Sequence, residues 1–136
     1  MKKRIFVDTN ILLDVLLERE GFYHDALKIW ANAELGKVEA YIAAISLNNI
    51  HYVMRRLKSE TTAMVALKIL MRIFKVVSVD ADVLRLAVDF HDKDFEDDIQ
   101  LQCALKAKCT QLFTRNPNHY DNSLIAVVPP SGFVSD

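Results

Sequence analysis

Apolar residues follow two alternating rhythms along the chain, short continuous runs and longer stretches that recur every three or four positions. Arg4 to Val7 is β-branched and aromatic, is closed by Asp8-Thr9-Asn10, and predicts a short buried strand. Thr9 or Asn10 is placed to cap the next helix, Ile11 to about Arg19, which Gly21 breaks. Ala26, Leu27, Trp30, Ala31 and Leu35 form one stripe of a second helix, Tyr23 to Leu35, ended by Gly36. Val38 to Ile45 predicts a second strand, and Ser46 stands as N-cap of a helix through Lys58. Leu47, Ile50, Met54 and Leu57 recur there at helical spacing, as do Ala63, Ala66, Leu67, Leu70 and Phe74 in a helix from Glu60 to Lys75. Val76 to Val79 predicts a third strand, and Asp80 caps a helix over Val83, Leu84, Ala87 and Val88. A helix from Phe95 to about Lys108 carries Ile99, Cys103 and Leu105 among its apolar positions. Gln111 to Phe113 predicts a fourth strand, Thr114 to Ser123 a loop, and Leu124 to Val128 a fifth strand.

Continuous apolar strands that alternate with helices predict a parallel sheet buried on both faces. The expected fold is a three-layer α/β/α sandwich around about five parallel strands, one domain spanning residues 1–136. In such sheets function gathers at the carboxyl ends of the strands. That rule selects Asp8, the segment Ser46 to Asn49, and the segment Thr114 to Asn116.

Composition narrows the class. An apolar share of 51% in 136 residues supports a packed core and excludes a disordered tail. The longest uninterrupted apolar stretch is about Ala40 to Ile45, far short of the ~20 residues of a membrane span. MKKRIFVDTN turns polar too early for a secretory h-region, so the expected compartment is the cytoplasm. Cys103 and Cys109, six apart on one expected helix, face different ways and read as ordinary half-buried thiols. No CxxC is present, and His24, His51, His91 and His119 lack metal-ligand spacing, so zinc and redox motifs are excluded.

Net charge is only −1, but its distribution is polarised. Arg55, Arg56, Lys58, Lys68, Arg72 and Lys75 face a single acid, Glu60, in the middle of the chain. Asp80, Asp82, Asp89, Asp92, Asp94, Glu96, Asp97 and Asp98 then face only Arg85 and Lys93. A helix N-terminus tolerates clustered acids, and a bound divalent cation offsets their repulsion far better. Oxygen donors without cysteine or histidine suit Mg²⁺ or Mn²⁺.

FVDTNILLD at the start, DFEDDIQLQCA in the middle and LFTRN late resemble the three signatures of PIN-domain proteins. The likeness runs from Ile5 to about Val128 and is in particular to the nuclease toxins of VapBC-type toxin–antitoxin pairs. The resemblance implies that Asp8 and Asp97 bind the metal, with Thr9 or Asn10 helping to hold Asp8 and Asp94 as a supporting acid. Thr114 and Asn116 match the polar pair after the fourth strand. Two departures stand out: Asn49 where the family usually has glutamate, and Asn116 where many relatives carry aspartate. Asparagine offers a carbonyl oxygen but no charge, so weaker metal affinity and a single ion are expected.

The implied function is a metal-dependent endoribonuclease, the toxin of a type II toxin–antitoxin pair, working by metal-assisted phosphodiester hydrolysis. The sequence offers no recognisable Ser or Cys motif for a side-chain nucleophile. Arg55, Arg56 and the rest of the basic arm are expected to track the RNA backbone, and Arg115 to meet a phosphate near the metal. An antitoxin protein is the expected partner. The alternative is a PIN-fold nucleic-acid-binding or regulatory domain with weak or no catalysis. A haloacid-dehalogenase-like phosphohydrolase is remote, because Asn10 stands where that class needs a second aspartate. Ile69 and Ile73 lie off the main stripe of their helix, which predicts exposed apolar surface and a symmetric homodimer.

Overall fold

A computed structural model describes residues 1–120 and 124–135. The strands are β1 (Arg4–Val7), β2 (Glu39–Ala43), β3 (Lys75–Val77), β4 (Gln111–Phe113) and β5 (Ala126–Val128). The helices are α1 (Thr9–Leu16), α2 (Tyr23–Glu34), α3 (Ala44–Leu57), α4 (Glu60–Ile73), α5 (Ala81–Asp89) and α6 (Phe95–Lys106). All strand pairings are parallel, in the order β3-β2-β1-β4-β5. Of the expected loop from Thr114 to Ser123, residues 121–123 lie outside the described residues.

The pleat sorts β1 onto both faces. Ile5 and Val7 join Ala40, Ile42 and Phe113 under α1 to α4, where Leu12, Ile29, Trp30, Ile50, Met54 and Leu70 complete one core. Phe6 points the other way, with Ala43 and Leu112, into a second core under α5 and α6 that includes Val83, Ala87, Ile99 and Cys103. This is the three-layer sandwich read from the sequence. Among the described residues no helix is long and apolar enough to cross a membrane.

β1 is central, and the chain leaves it toward β2 on one side and β4 on the other. The carboxyl ends of β1 and β4 therefore border the crevice where open parallel sheets place their ligands. Asp80 and Ser59 cap α5 and α4 by accepting from the N–H groups of Val83 and Thr62 at 2.9 and 3.0 Å. Asp94 caps α6, accepting from the N–H of Asp97 at 3.0 Å. Gly21 and Gly36 end the first two helical segments at φ of 85° and 74°, a region glycine enters without a Cβ penalty.

Several expectations are corrected. α3 begins at Ala44, so Ser46 is not its cap but lies buried in its first turn. β2 ends at Ala43 and the chain passes straight into the helix, leaving no turn for Ser46 to close. Leu35 and Leu57 are solvent-exposed because each stands at the end of its helix, past the packed turns. Cys109 lies beyond the end of α6, after Lys108 at φ 58°, and both thiols are buried rather than half-buried. Ile69 and Ile73 are partly buried against the first core. The exposed apolar side of α4 is instead Met64, Val65 and Met71.

Candidate active site

Asp8 occupies the cap position of α1, yet its carboxylate makes no bond to that helix. It is instead held from two other elements. Thr114, the residue after β4, donates its hydroxyl to Asp8 Oδ2 at 2.7 Å. Gln100 of α6 donates Nε2–H to Asp8 Oδ1 at 3.0 Å and accepts the Thr9 N–H on its own Oε1 at 3.3 Å. Thr9 Oγ1 lies 2.6 Å from Ser46 Oγ, which joins α1 to α3 beneath the carboxylate. Asp8 is only 6% exposed and is clamped entirely by neutral donors. That arrangement fixes its oxygens in direction without cancelling their charge.

Asp97 enters from the first turn of α6. Tyr120 donates its hydroxyl to Asp97 Oδ1 at 3.2 Å, and His119 Nδ1 stands 3.7 Å from Oδ2. Burial, then repulsion from Asp8 and Asp94, pushes its carboxyl up to about 6. Glu96 beside it is half-buried, and Asn49 of α3 donates Nδ2–H to its Oε1 at 2.8 Å. Burial raises the Glu96 carboxyl as well, with Asp8 and Asp94 adding to the rise against the lowering effect of the Asn49 bond.

These groups share one open cleft of 340 Å³. Asp8, Asp94, Glu96 and Asp97 line it together with Thr9, Asn10, Asn49, Asn116, Gln100 and His119. Among the described residues no lysine or arginine lines the cleft. No group of three or more His, Cys, Asp or Glu side chains there is close enough to form a ready-made metal cage. The donor chemistry nonetheless fits a hard cation that keeps several of its waters, because the wall offers carboxylate and amide oxygens with no lysine or arginine set against them and His119 beside Asp97.

Asp8, Asp94, Asp97, Asn49, Asn116, Thr9 and Asn10 are thus brought together at this cleft, with Thr114 buried behind Asp8. Arg115 is not. Its guanidinium pairs with buried Asp14 of α1, Nε to Oδ2 at 3.2 Å, and lies 4.1 Å over the Phe22 ring. Arg115 follows Thr114 where the chain bends after β4, and its side chain goes to Asp14 and Phe22 instead of the cleft. Arg55 and Arg56 are exposed near the end of α3 and do not line the cleft, and Arg56 donates to the Tyr52 hydroxyl at 2.9 Å. Sequence reasoning missed Glu96, Gln100, His119 and Tyr120. The i, i+4 spacing of Glu96 and Gln100 was the available signal for the first two. Asp98, in the same acidic run, faces away and is held by His91 Nδ1 at 2.5 Å and the Asp92 N–H at 3.2 Å.

A parallel α/β domain with a carboxylate-lined crevice at its strand ends defines the class. Residues 4–118 match the PIN domain family model, and the chain belongs to the PIN-domain family. Solved structures agree in fold. The chain superposes on VapBC2 from Rickettsia felis, bound to a DNA fragment from its promoter, with a TM-score of 0.71 and 14% identity, covering 93% of this chain and 98% of that one. The VapC20 toxin of Mycobacterium tuberculosis, which cleaves the sarcin–ricin loop, gives 0.65 and 19%, with 96% of each chain covered. A toxin–antitoxin complex from Klebsiella pneumoniae gives 0.67 and 23%, with 93% and 97% covered. No curated protein matches the chain.

Proposed function

We propose that this PIN domain is a Mg²⁺- or Mn²⁺-dependent endoribonuclease that acts in the cytoplasm as the toxin of a type II toxin–antitoxin pair. The observation that carries the reading is the clamped, uncompensated Asp8 facing Asp97 across an acidic cleft. Neutral clamping aims the Asp8 oxygens without placing a positive side chain on them, which suits a cation site. Asp8 and Asp97 would hold the ion. When bound, it supplies Lewis acidity toward a phosphodiester oxygen and a water of lowered pKa.

The chain's own groups set up the rest. Thr114 and Gln100 orient Asp8, and Asp94 fixes the first turn of α6 from which Asp97 projects. Asn10 and Asn116 offer neutral polar contacts at the cleft mouth. The exposed cations of α3 and α4 give RNA a non-specific electrostatic approach. Toxin–antitoxin complexes among the similar structures support an antitoxin partner, and the exposed apolar side of α4 supports a homodimer.

The Asn49 and Asn116 departures favour one other reading, a PIN-fold RNA-binding or regulatory domain with little catalysis. One assay separates the two. Purified protein with Mn²⁺ should cleave RNA, and Asp8→Asn should abolish cleavage while the circular dichroism spectrum is retained. RNA binding without Mn²⁺-dependent cleavage in the wild type would establish the second reading.

A further inference from the structure

The charge that Asn49 lacks has a local replacement. Asn49 approaches the cleft from α3, and its amide hydrogen points at Glu96 Oε1 across 2.8 Å. An ionised carboxylate only accepts, so the contact works because one partner is an amide. A glutamate at both positions would bring two anions together. Glu96 has no lysine or arginine partner among the described residues, and the amide of Asn49 is its only side-chain hydrogen-bond partner there. Helical spacing puts Glu96 and Gln100 on one strip, and Gln100 is bonded to Asp8. Glu96 therefore faces the same space as Asp8 and Asp97.

We infer that Glu96 supplies, from the first turn of α6, the carboxylate that α3 lacks at Asn49, and is a third anionic residue facing the cation. Asn49 is then a positioning residue that aims Glu96. This rests on the cation-site reading above, and adds the charge of Glu96 to the two carboxylates which that reading assigns. Cation affinity rises with the negative charge that faces the ion, so Glu96 and position 49 are exchangeable in charge but not additive.

The experiment is calorimetric titration of the metal-stripped full chain with Mn²⁺, alongside the melting temperature in chelator. Glu96→Gln should weaken Mn²⁺ by about tenfold or more, within the range seen when a metal site loses a supporting group. Asn49→Glu alone should lower the melting temperature at pH 8 in chelator, and Mn²⁺ should restore it. Asn49→Glu combined with Glu96→Gln should return Mn²⁺ affinity to within a few-fold of wild type. Unchanged affinity in Glu96→Gln, with binding lost in Asp8→Asn, would overturn the role of Glu96 and leave the site reading intact. Absence of Mn²⁺ binding in the wild type would overturn both.

Discussion

Asp97→Asn should stabilise the metal-free protein while removing its cleavage activity. The folded protein holds the Asp97 carboxyl at about 6 against an ordinary 3.8, chiefly through burial and then through Asp8 and Asp94. A shift of about two units at ~1.4 kcal/mol each sets a ceiling near 3 kcal/mol for what the neutral side chain could recover. Tyr120 can still donate to an amide oxygen, but the contact with His119 is weakened, so about 2 kcal/mol is expected. At this chain length that is a rise of roughly 5–8 °C in melting temperature. The pH dependence fixes the cause. A raised folded-state pKa means the wild type is favoured by protonation below about 4 and loses that stability as pH rises through about 6. The advantage of Asp97→Asn should therefore be full at pH 8, shrink below pH 6 and vanish near pH 4. Thermal melts of both proteins in chelator at several pH values read this directly. Saturating Mg²⁺ should then close the gap at pH 8, because only the wild type gains from binding. A variant no more stable than wild type at pH 8 in chelator, or a gap that stays constant down to pH 4, would refute the reasoning.

Asp14→Ala should cost roughly 3–5 kcal/mol in denaturant unfolding, because it strands Arg19 and Arg115 beside a buried site. A loss under ~1 kcal/mol would mean that both guanidinium groups reach water. Thr114→Val leaves one buried oxygen of Asp8 without its donor, so RNA cleavage should fall about tenfold or more and stability by about 1–3 kcal/mol, and an undiminished rate would show that the clamp is dispensable. Replacing Arg55 and Arg56 together by alanine should weaken RNA binding across sequences and reduce the slope of log affinity against log salt by about 1.4. An unchanged slope would place the RNA elsewhere. Light scattering at micromolar concentration should give the mass of two chains, and one chain unchanged on concentration would exclude the homodimer.

The layers of the fold were legible because β1, β2 and β4 are short apolar runs between helical patterns, and the expected bounds of β4 match the structure. Strand order was not, since nothing local in Arg4–Val7 states that β4 rather than β3 lies beside it. Asp8 was legible from its place after β1. Its partners were not, because Thr114 and Gln100 reach it across 106 and 92 residues of chain. The run Asp94 to Asp98 gave the acids without their directions. Helical rotation separates neighbours, so Glu96 and Asp97 turn to the cleft, Asp94 becomes a cap and Asp98 packs against His91. Arg115 misled because the chain bends there after β4, so its side chain pairs with Asp14 although its neighbour Thr114 reaches Asp8.

Two aspartates of this molecule show how burial sorts by environment. Asp14 is fully buried, and desolvation raises its carboxyl, but Arg115 and Arg19 stand against it at 3.2 and 3.4 Å. Its surroundings supply the opposite charge, so the pair belongs to the scaffold that joins α1 to the segment after β4. Asp8 lies within the same helix–strand unit and is almost as buried, yet its partners are a hydroxyl and an amide. Asp97 and Glu96 face it with raised carboxyls and no arginine or lysine lining the cleft. A fold that can place two arginines on one buried acid has the means to neutralise another. Keeping Asp97 and Glu96 without such partners costs stability, a pattern that fits a working site better than a scaffold. That contrast, more than the number of acids, supports reading the cleft as a cation-dependent centre.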